Sequence, residues 1–407
     1  MICKEYIFLI IQKNNKMYKY LLQIFLALSF TATYSQLTIT NGNHTLEISG
    51  SASSFYNYRS LKPGEVDNSK NRFKLRDAQI SLDGRVGNTW EYAIKADFAD
   101  MSANLTNAVI DPENPGLLET NVTYKGWKFL EINAGYGKLR FSRSQMVPFE
   151  FSAYWQGAEL TRGSIFSTRD VGLTLFKNFY KQRANVYLGV YNGLGELSLG
   201  GDNDPSGNLE YVGRVDFSYP SKFKYRDFDE KHTPIPHFSV GLAARYMNKS
   251  LPAGTVFPDN ATSSYGIKVI DGKRYVYGFD LAFEYSGFSA QFEMQQLKSQ
   301  PQNPNDPLYQ NLDANQTRGY FLSGGYTAQA NYNFKKLNTL VSARFEELDL
   351  NDLVPGNSQR FSPAVAYQIN GFNAMIKFQY FKILKEESID PFSWKEQFRL
   401  GLQFQFK

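Results

Sequence analysis

The sequence predicts an all-β fold, a 16-stranded antiparallel transmembrane β-barrel. Three observations predict it. Apolar and polar residues alternate with a period of two along sixteen segments, and the links between them alternate between tight turns and long polar loops. The third is a leader-like apolar run ahead of them all. Side chains on a strand point to opposite faces in turn, so a strict two-residue alternation gives each segment one greasy and one polar face.

The leader comes first. From Met17 the chain reads MYKYLLQIFLALSFTATYSQ, with Lys19 as its charged start, an apolar run from about Leu21 to Ala32, and the small residues Thr33 and Ser35 placed for cleavage before Gln36. The run is short for a bilayer-spanning helix and fits a secretory signal. Residues 1–35 are therefore expected to be a signal peptide with its true start at Met17, and residues 36–407 the barrel.

Composition agrees with strands. Aromatic residues make up 16% of the 407 residues, yet the mean hydropathy is −0.41, and helical periodicity is scarce after residue 40. Residues 1–35 carry four Lys and one Glu, so the net charge falls from +5 to +2 without them. So small a positive balance argues against nucleic acid as a partner. The lone cysteine, Cys3, leaves with the leader, so neither a disulfide framework nor a thiol nucleophile is expected.

The segments run in order over 44–58, 72–86, 89–99, 117–125, 128–137, 168–178, 182–192, 208–219, 236–247, 274–286, 288–298, 317–332, 337–348, 359–370, 372–384 and 395–406. Trp90, Tyr92, Ile94, Ala96 and Phe98 share one face while Glu91, Ala93, Lys95 and Asp97 share the other. Tight turns occur at Gly87 and Asn88, at Lys125 to Trp127, at Asn178 to Lys181, at Gly287, at Lys335 and Lys336, and at Asn370 and Gly371. Long links lie at 59–71, 100–116, 138–167, 193–207, 248–273 and 299–316, and the 220–235 link is longer than a tight turn needs. An even strand number with short turns at one end and long loops at the other is the pattern of an outer-membrane barrel. Lipid tolerates a sheet only when it closes on itself. The apolar faces then meet lipid and the charged faces a wet interior. The final segment, EQFRLGLQFQFK, is expected to pair with the first and leave no open edge, with Phe406 as its terminal aromatic.

Several stretches in order resemble the family of phosphate-selective porins O and P. They are RDAQISLDGRVGNTWEYAIKADF (76–98), GYGKLRFS (135–142), ELTRGSIFSTRDVGLTLF (159–176), GVYNGLGE (189–196), VGRVDFSYP (212–220), YGFDLAFEYSGFSAQFEMQQ (277–296) and RFEELD (344–349). The resemblance implies an outer-membrane porin, a homotrimer embedded in lipid and lipopolysaccharide, through which small hydrophilic solutes or anions such as phosphate diffuse without a cofactor. It also implies that the third long loop, 138–167, folds inward and narrows the pore. That loop carries Lys138, Arg140, Arg143 and Arg162 against Glu150 and Glu159, and these four cations are the expected constriction. A ring of cations in a narrow passage lowers the entry barrier for anions.

Parity places Arg85, Lys95, Lys125, Arg214, Arg245, Arg344, Lys377 and Arg399 on the inner wall, beside ten carboxylates that include Asp83, Glu91, Asp97, Glu119, Glu131, Asp216, Asp280, Glu284, Glu293 and Glu346. Eight positive against ten negative describes a weakly selective pore rather than an anion ladder.

Two other classes compete. A barrel hydrolase needs a nucleophile with a general base, usually His. Only His44, His232 and His237 exist, none in an activating context. A metal site at His232 and His237 lacks carboxylates at ligand spacing. DNDPSGN (202–208) begins like a calcium loop, but Gly213 stands where the bidentate Glu belongs. A surface binding or adhesion barrel remains the third class; its blocked interior would need a plug for which little chain exists before residue 44.

Overall fold

The computed structural model describes residues 37–67, 70–99, 116–161, 167–193, 195, 207–250, 272–302, 318–353, 355–386 and 393–406. The leader, Arg162 and most of the calcium-like loop lie outside these residues. The strands are β1 (Leu37–Asn41), β2 (His44–Leu61), β3 (Asn71–Val86), β4 (Trp90–Asp97), β5 (Leu117–Tyr124), β6 (Glu131–Lys138), β7 (Arg169–Phe179), β8 (Ala184–Tyr191) and β9 (Glu210–Tyr219). They continue with β10 (His237–Lys249), β11 (Gly272–Tyr285), β12 (Phe288–Pro301), β13 (Phe321–Phe334), β14 (Thr339–Asp349), β15 (Ser358–Asn370), β16 (Ala374–Lys385) and β17 (Trp394–Phe406).

From β2 onward each strand pairs antiparallel with the next, and β17 returns to β2 from Trp394↔Leu61 to Phe406↔Gly50. The sixteen strands β2 to β17 thus form a closed barrel. Closure gives every strand two neighbours and satisfies the main-chain groups that lipid could not. The extra strand β1 follows the same edge of β2 where β17 stops, with Leu37 opposite Ile48. It was not expected from the sequence, because five residues are too few for a clear alternation.

The outer face is banded. Exposed aliphatic residues such as Ile80, Ile94, Val122, Leu188, Leu242 and Leu400 occupy the middle of their strands. Exposed aromatics cluster near both ends: Trp90, Phe179, Tyr219, Phe238, Phe288 and Tyr332 near the tight turns, and Tyr58, Phe73, Tyr211, Tyr246, Tyr277 and Phe361 near the long loops. Such girdles sit at the headgroup levels of a bilayer.

One irregularity decides where charges point. A β-bulge interrupts the β2 and β3 pairing, so that Ser53 faces Asp77 while Ser54 faces Leu75, leaving Arg76 as the extra residue. A bulge inserts one residue and reverses the phase of everything beyond it. Arg72, Lys74 and Arg76 therefore turn toward the lumen together with Asp77, while Phe73 and Leu75 face out.

Candidate functional site

Between β6 and β7 the chain leaves the wall and crosses the lumen. Leu139 and Phe141 start the crossing, followed by a four-residue helix, α1 (Arg143–Met146), whose first turn is capped by the Ser142 hydroxyl accepting from Gln145 N at 3.3 Å. Pro148 ends the helix, since the residue before a proline is pushed to extended backbone. Two 3-10 turns follow, Phe149–Phe151 and Glu159–Thr161. Leu139, Phe141 and Leu160 pack with Val212, Val276, Leu297 and Leu348 of the wall in one buried apolar cluster. Gly278 makes room for Phe141: a Cβ there would lie 3.0 Å from the ring.

Ionic contacts fix the loop to one side. Arg143, 1% exposed, donates through Nε to Asp280 Oδ1 at 2.6 Å and lies 5.3 Å and 5.2 Å above the rings of Phe223 and Tyr225. Arg214 reaches the other oxygen of Asp280 at 2.7 Å and also donates to the Phe141 carbonyl at 2.8 Å. One carboxylate therefore joins loop and wall through two guanidiniums. Ser144 donates to Glu293 from both N and Oγ, at 2.9 and 2.6 Å. On the return limb Arg360 bridges Glu346 and Glu159, and Arg344 donates to the carbonyls of Gln156 and Gly157 while lying 4.1 Å from the Tyr154 ring centroid.

The long 220–236 link also folds inward. Phe228 packs with Ala153 and Tyr154 of the loop, and with Leu340, Ala364, Ala366 and Met375. Arg226 grips Glu284 with two hydrogen bonds of 3.0 Å. Asp229 accepts from Thr233 N and Oγ1 and from Gly287 N. Burial pushes the Asp227 carboxyl above its ordinary range, against the opposing pull of a Ser152 hydrogen bond and of Arg344. Loop and turn together fill the lumen beside β9 to β16.

Among the described residues two larger cavities border the loop. The larger, about 650 Å³, lies against β4 to β9 and reaches the tight-turn end at Lys125, Gln182 and Lys222; Arg140, Asn121, Asn133, Glu119 and Glu131 also line it. The smaller, about 160 Å³, lies on the long-loop side against β2 and β3. Among the described residues its ionisable lining is Arg72, Lys74, Arg76, Lys138, Arg169 and Arg399, six basic side chains without a carboxylate. Lys138 borders both cavities. Arg76, Lys138 and Arg169 donate to the carbonyls of Trp155, Gln145 and Leu118 at 3.0, 2.7 and 3.0 Å. A carbonyl orients a cation without cancelling its charge.

The sequence-predicted residues thus separate into two groups. Lys138 and Arg140 line the open space, whereas Arg143 is buried as an anchor; Arg162 lies outside the described residues. On the wall, Arg214 and Arg344 hold the loop, as does Lys377 through the Phe149 carbonyl at 3.4 Å. Lys95 pairs with Glu150 at 3.3 Å, and Arg245 with Glu210 at 2.6 Å. Arg85 sits at the tight-turn rim, 3.8 Å from Glu91, and Lys125 lies 2.6 Å from the same carboxylate. Arg399 donates to Gln156 Oε1 at 2.5 Å. Sequence reasoning missed Arg72, Lys74, Arg76 and Arg169. The signal for the first three was present: the outward apolar residues Phe73 and Leu75 are followed by Ala78, Ile80 and Leu82, a gap of three where two was due. Among the described residues no group of three or more His, Cys, Asp or Glu could hold a metal ion.

Residues 48–148 match the family model described as phosphate-selective porin O and P. Over those residues the barrel is similar to an outer-membrane porin family. Solved structures agree in fold. The chain is 11% identical to outer-membrane-expressed OmpT of Vibrio cholerae, with a TM-score of 0.57 over 91% of this chain and 100% of that one. It is 12% identical to the outer membrane channel DcaP of Acinetobacter baumannii, with a TM-score of 0.53 over 90% of this chain and 99% of that one. OprB of Pseudomonas putida, in a high-pH structure, is 11% identical with a TM-score of 0.53, covering 89% of this chain and 94% of that one. No curated protein matches the sequence.

Proposed function

We propose that this barrel is an outer-membrane porin that passes small hydrophilic solutes by passive diffusion with a preference for anions, phosphate among them. The observation that carries the preference is the lining of the long-loop cavity by six basic side chains, which no carboxylate interrupts among the described residues. Long loops of such barrels face the outside and tight turns the periplasm, so an entering solute meets Arg72, Lys74 and Arg76 first. It then passes Lys138, which lines both cavities, and leaves beside Lys222 and Lys224. Cations in a confined passage with low-dielectric walls raise the local anion concentration without a binding step. Glu91, Glu119 and Glu131 along the larger cavity moderate the field, so the preference is partial.

The test is the reversal potential of the reconstituted porin in a KCl gradient, wild type against Arg72→Gln with Arg76→Gln. The expected result is chloride preference that falls in the double variant. Equal permeability to both ions in the wild type would overturn the proposal. A homotrimeric assembly, as the family resemblance implies, is part of the same reading and is tested by mass in detergent.

A further inference from the structure

The long-loop cavity is more than a charged passage. Beside its cations it is lined by Phe55, Val147 and Phe149. Phe149 is the unusual one: it sits on a loop inside an aqueous lumen and is 40% exposed. Its ring also lies 5.0 Å from the Arg76 guanidinium, and the Phe55 ring lies 4.9 Å from that of Arg399. A water-filled conduit has no need of an exposed phenyl ring, whereas a site for an amphiphilic solute needs one apolar surface set among a few oriented polar groups.

Size narrows the solute further. A cavity of about 150 Å³ holds one benzene molecule, and this one measures about 160 Å³. We infer that the long-loop cavity is a subsite for organic monocarboxylates with a single-ring body, the carboxylate facing Arg76, Lys138 and Arg169 and the ring lying on Phe149. The inference rests on the anion-preferring reading above and names the solute class it serves. Inorganic phosphate would meet the same cations but gain nothing from Phe149. A guanidinium stacked on an aromatic face is held flat, with its N–H edge free to meet a carboxylate in its plane.

The test uses the full porin in planar bilayers, with benzoate, acetate, inorganic phosphate and benzyl alcohol each titrated on the long-loop side against the KCl current. Benzoate is expected to half-block the current at a concentration about tenfold below acetate or phosphate, equivalent to about 1.4 kcal/mol of ring contact. Phe149→Ala is expected to bring benzoate to acetate's level, and the Phe149 carbonyl that accepts from Lys377 remains to hold the loop. Phe149→Leu keeps an apolar surface and is expected to retain most of the advantage. A benzoate no better than acetate, a phosphate better than both, or an advantage that survives Phe149→Ala overturns the ring subsite alone. Absence of chloride preference together with inert acetate and phosphate overturns the anion reading, and the subsite with it.

Discussion

Asp280 joins the loop to the wall through two guanidiniums. Its two oxygens receive Arg143 at 2.6 Å from the loop and Arg214 at 2.7 Å from the wall, and all three side chains are at most 2% exposed. In Asp280→Asn the shape is kept and Arg143 loses its counter-charge, while Arg214 keeps Asp216 at 3.5 Å. Breaking a buried pair in this way costs roughly 3–5 kcal/mol. The barrel itself does not bear this cost, because its strand ladder is unchanged; the loop can escape it by lifting Arg143 into water. About 3 kcal/mol corresponds to about a hundredfold rise in the population with the loop's first limb undocked. Single-channel recording reads this directly. The variant is expected to show a higher mean conductance and larger open-channel noise than the wild type, with the same heat-resistant migration of the folded barrel in detergent gels. A variant trace indistinguishable from wild type would refute the view that this triad holds the constriction.

Gly241→Ala is expected to give the same noise without altering any charge, since its Cβ would fall 2.3 Å from Arg214 Nη2 and 2.5 Å from Asp280 Oδ2. Arg360→Ala leaves Glu346 and Glu159 facing each other and is expected to free the return limb, read as faster protease cleavage within 156–161 in detergent. Gly50→Val sets a branched side chain where even a Cβ lies 2.7 Å from the Phe406 ring; it should lower the folded fraction after refolding, because β17 must meet β2 there to close the barrel. Because burial raises the Asp227 pKa above its unfolded value, the protonated form supports the docked turn at acid pH and that support is lost as pH climbs through the raised value. Open-channel noise should therefore grow with pH in the wild type and stay flat in Asp227→Asn.

Alternation made the barrel legible because lipid and water impose it on every strand at once. Even the extra residue in β3 left a visible trace, the three-residue gap between Leu75 and Ala78. The roles of the charged residues were not legible. Arg143 and Arg140 look alike in sequence, yet one is buried against Asp280 and the other faces the larger cavity. That difference depends on the path of the loop, which is set by contacts such as Phe141 over Gly278 and Ser144 with Glu293, partners far apart in the chain. Parity gives the direction of a side chain and says nothing of what stands opposite. For the same reason the 220–236 link showed only its excess length, and not its route under the loop.

The odd residue at Arg76 makes insertion and deletion a coarser control on this protein than substitution. Removing that one codon would swing Arg72 and Lys74 outward into hydrocarbon and bring Phe73 and Leu75 into the entrance. A stretch of chain half a dozen residues long would thereby exchange its solvent on both sides at once. Homologues that differ by a single length change near this point would differ in permeant class while keeping nearly every amino acid.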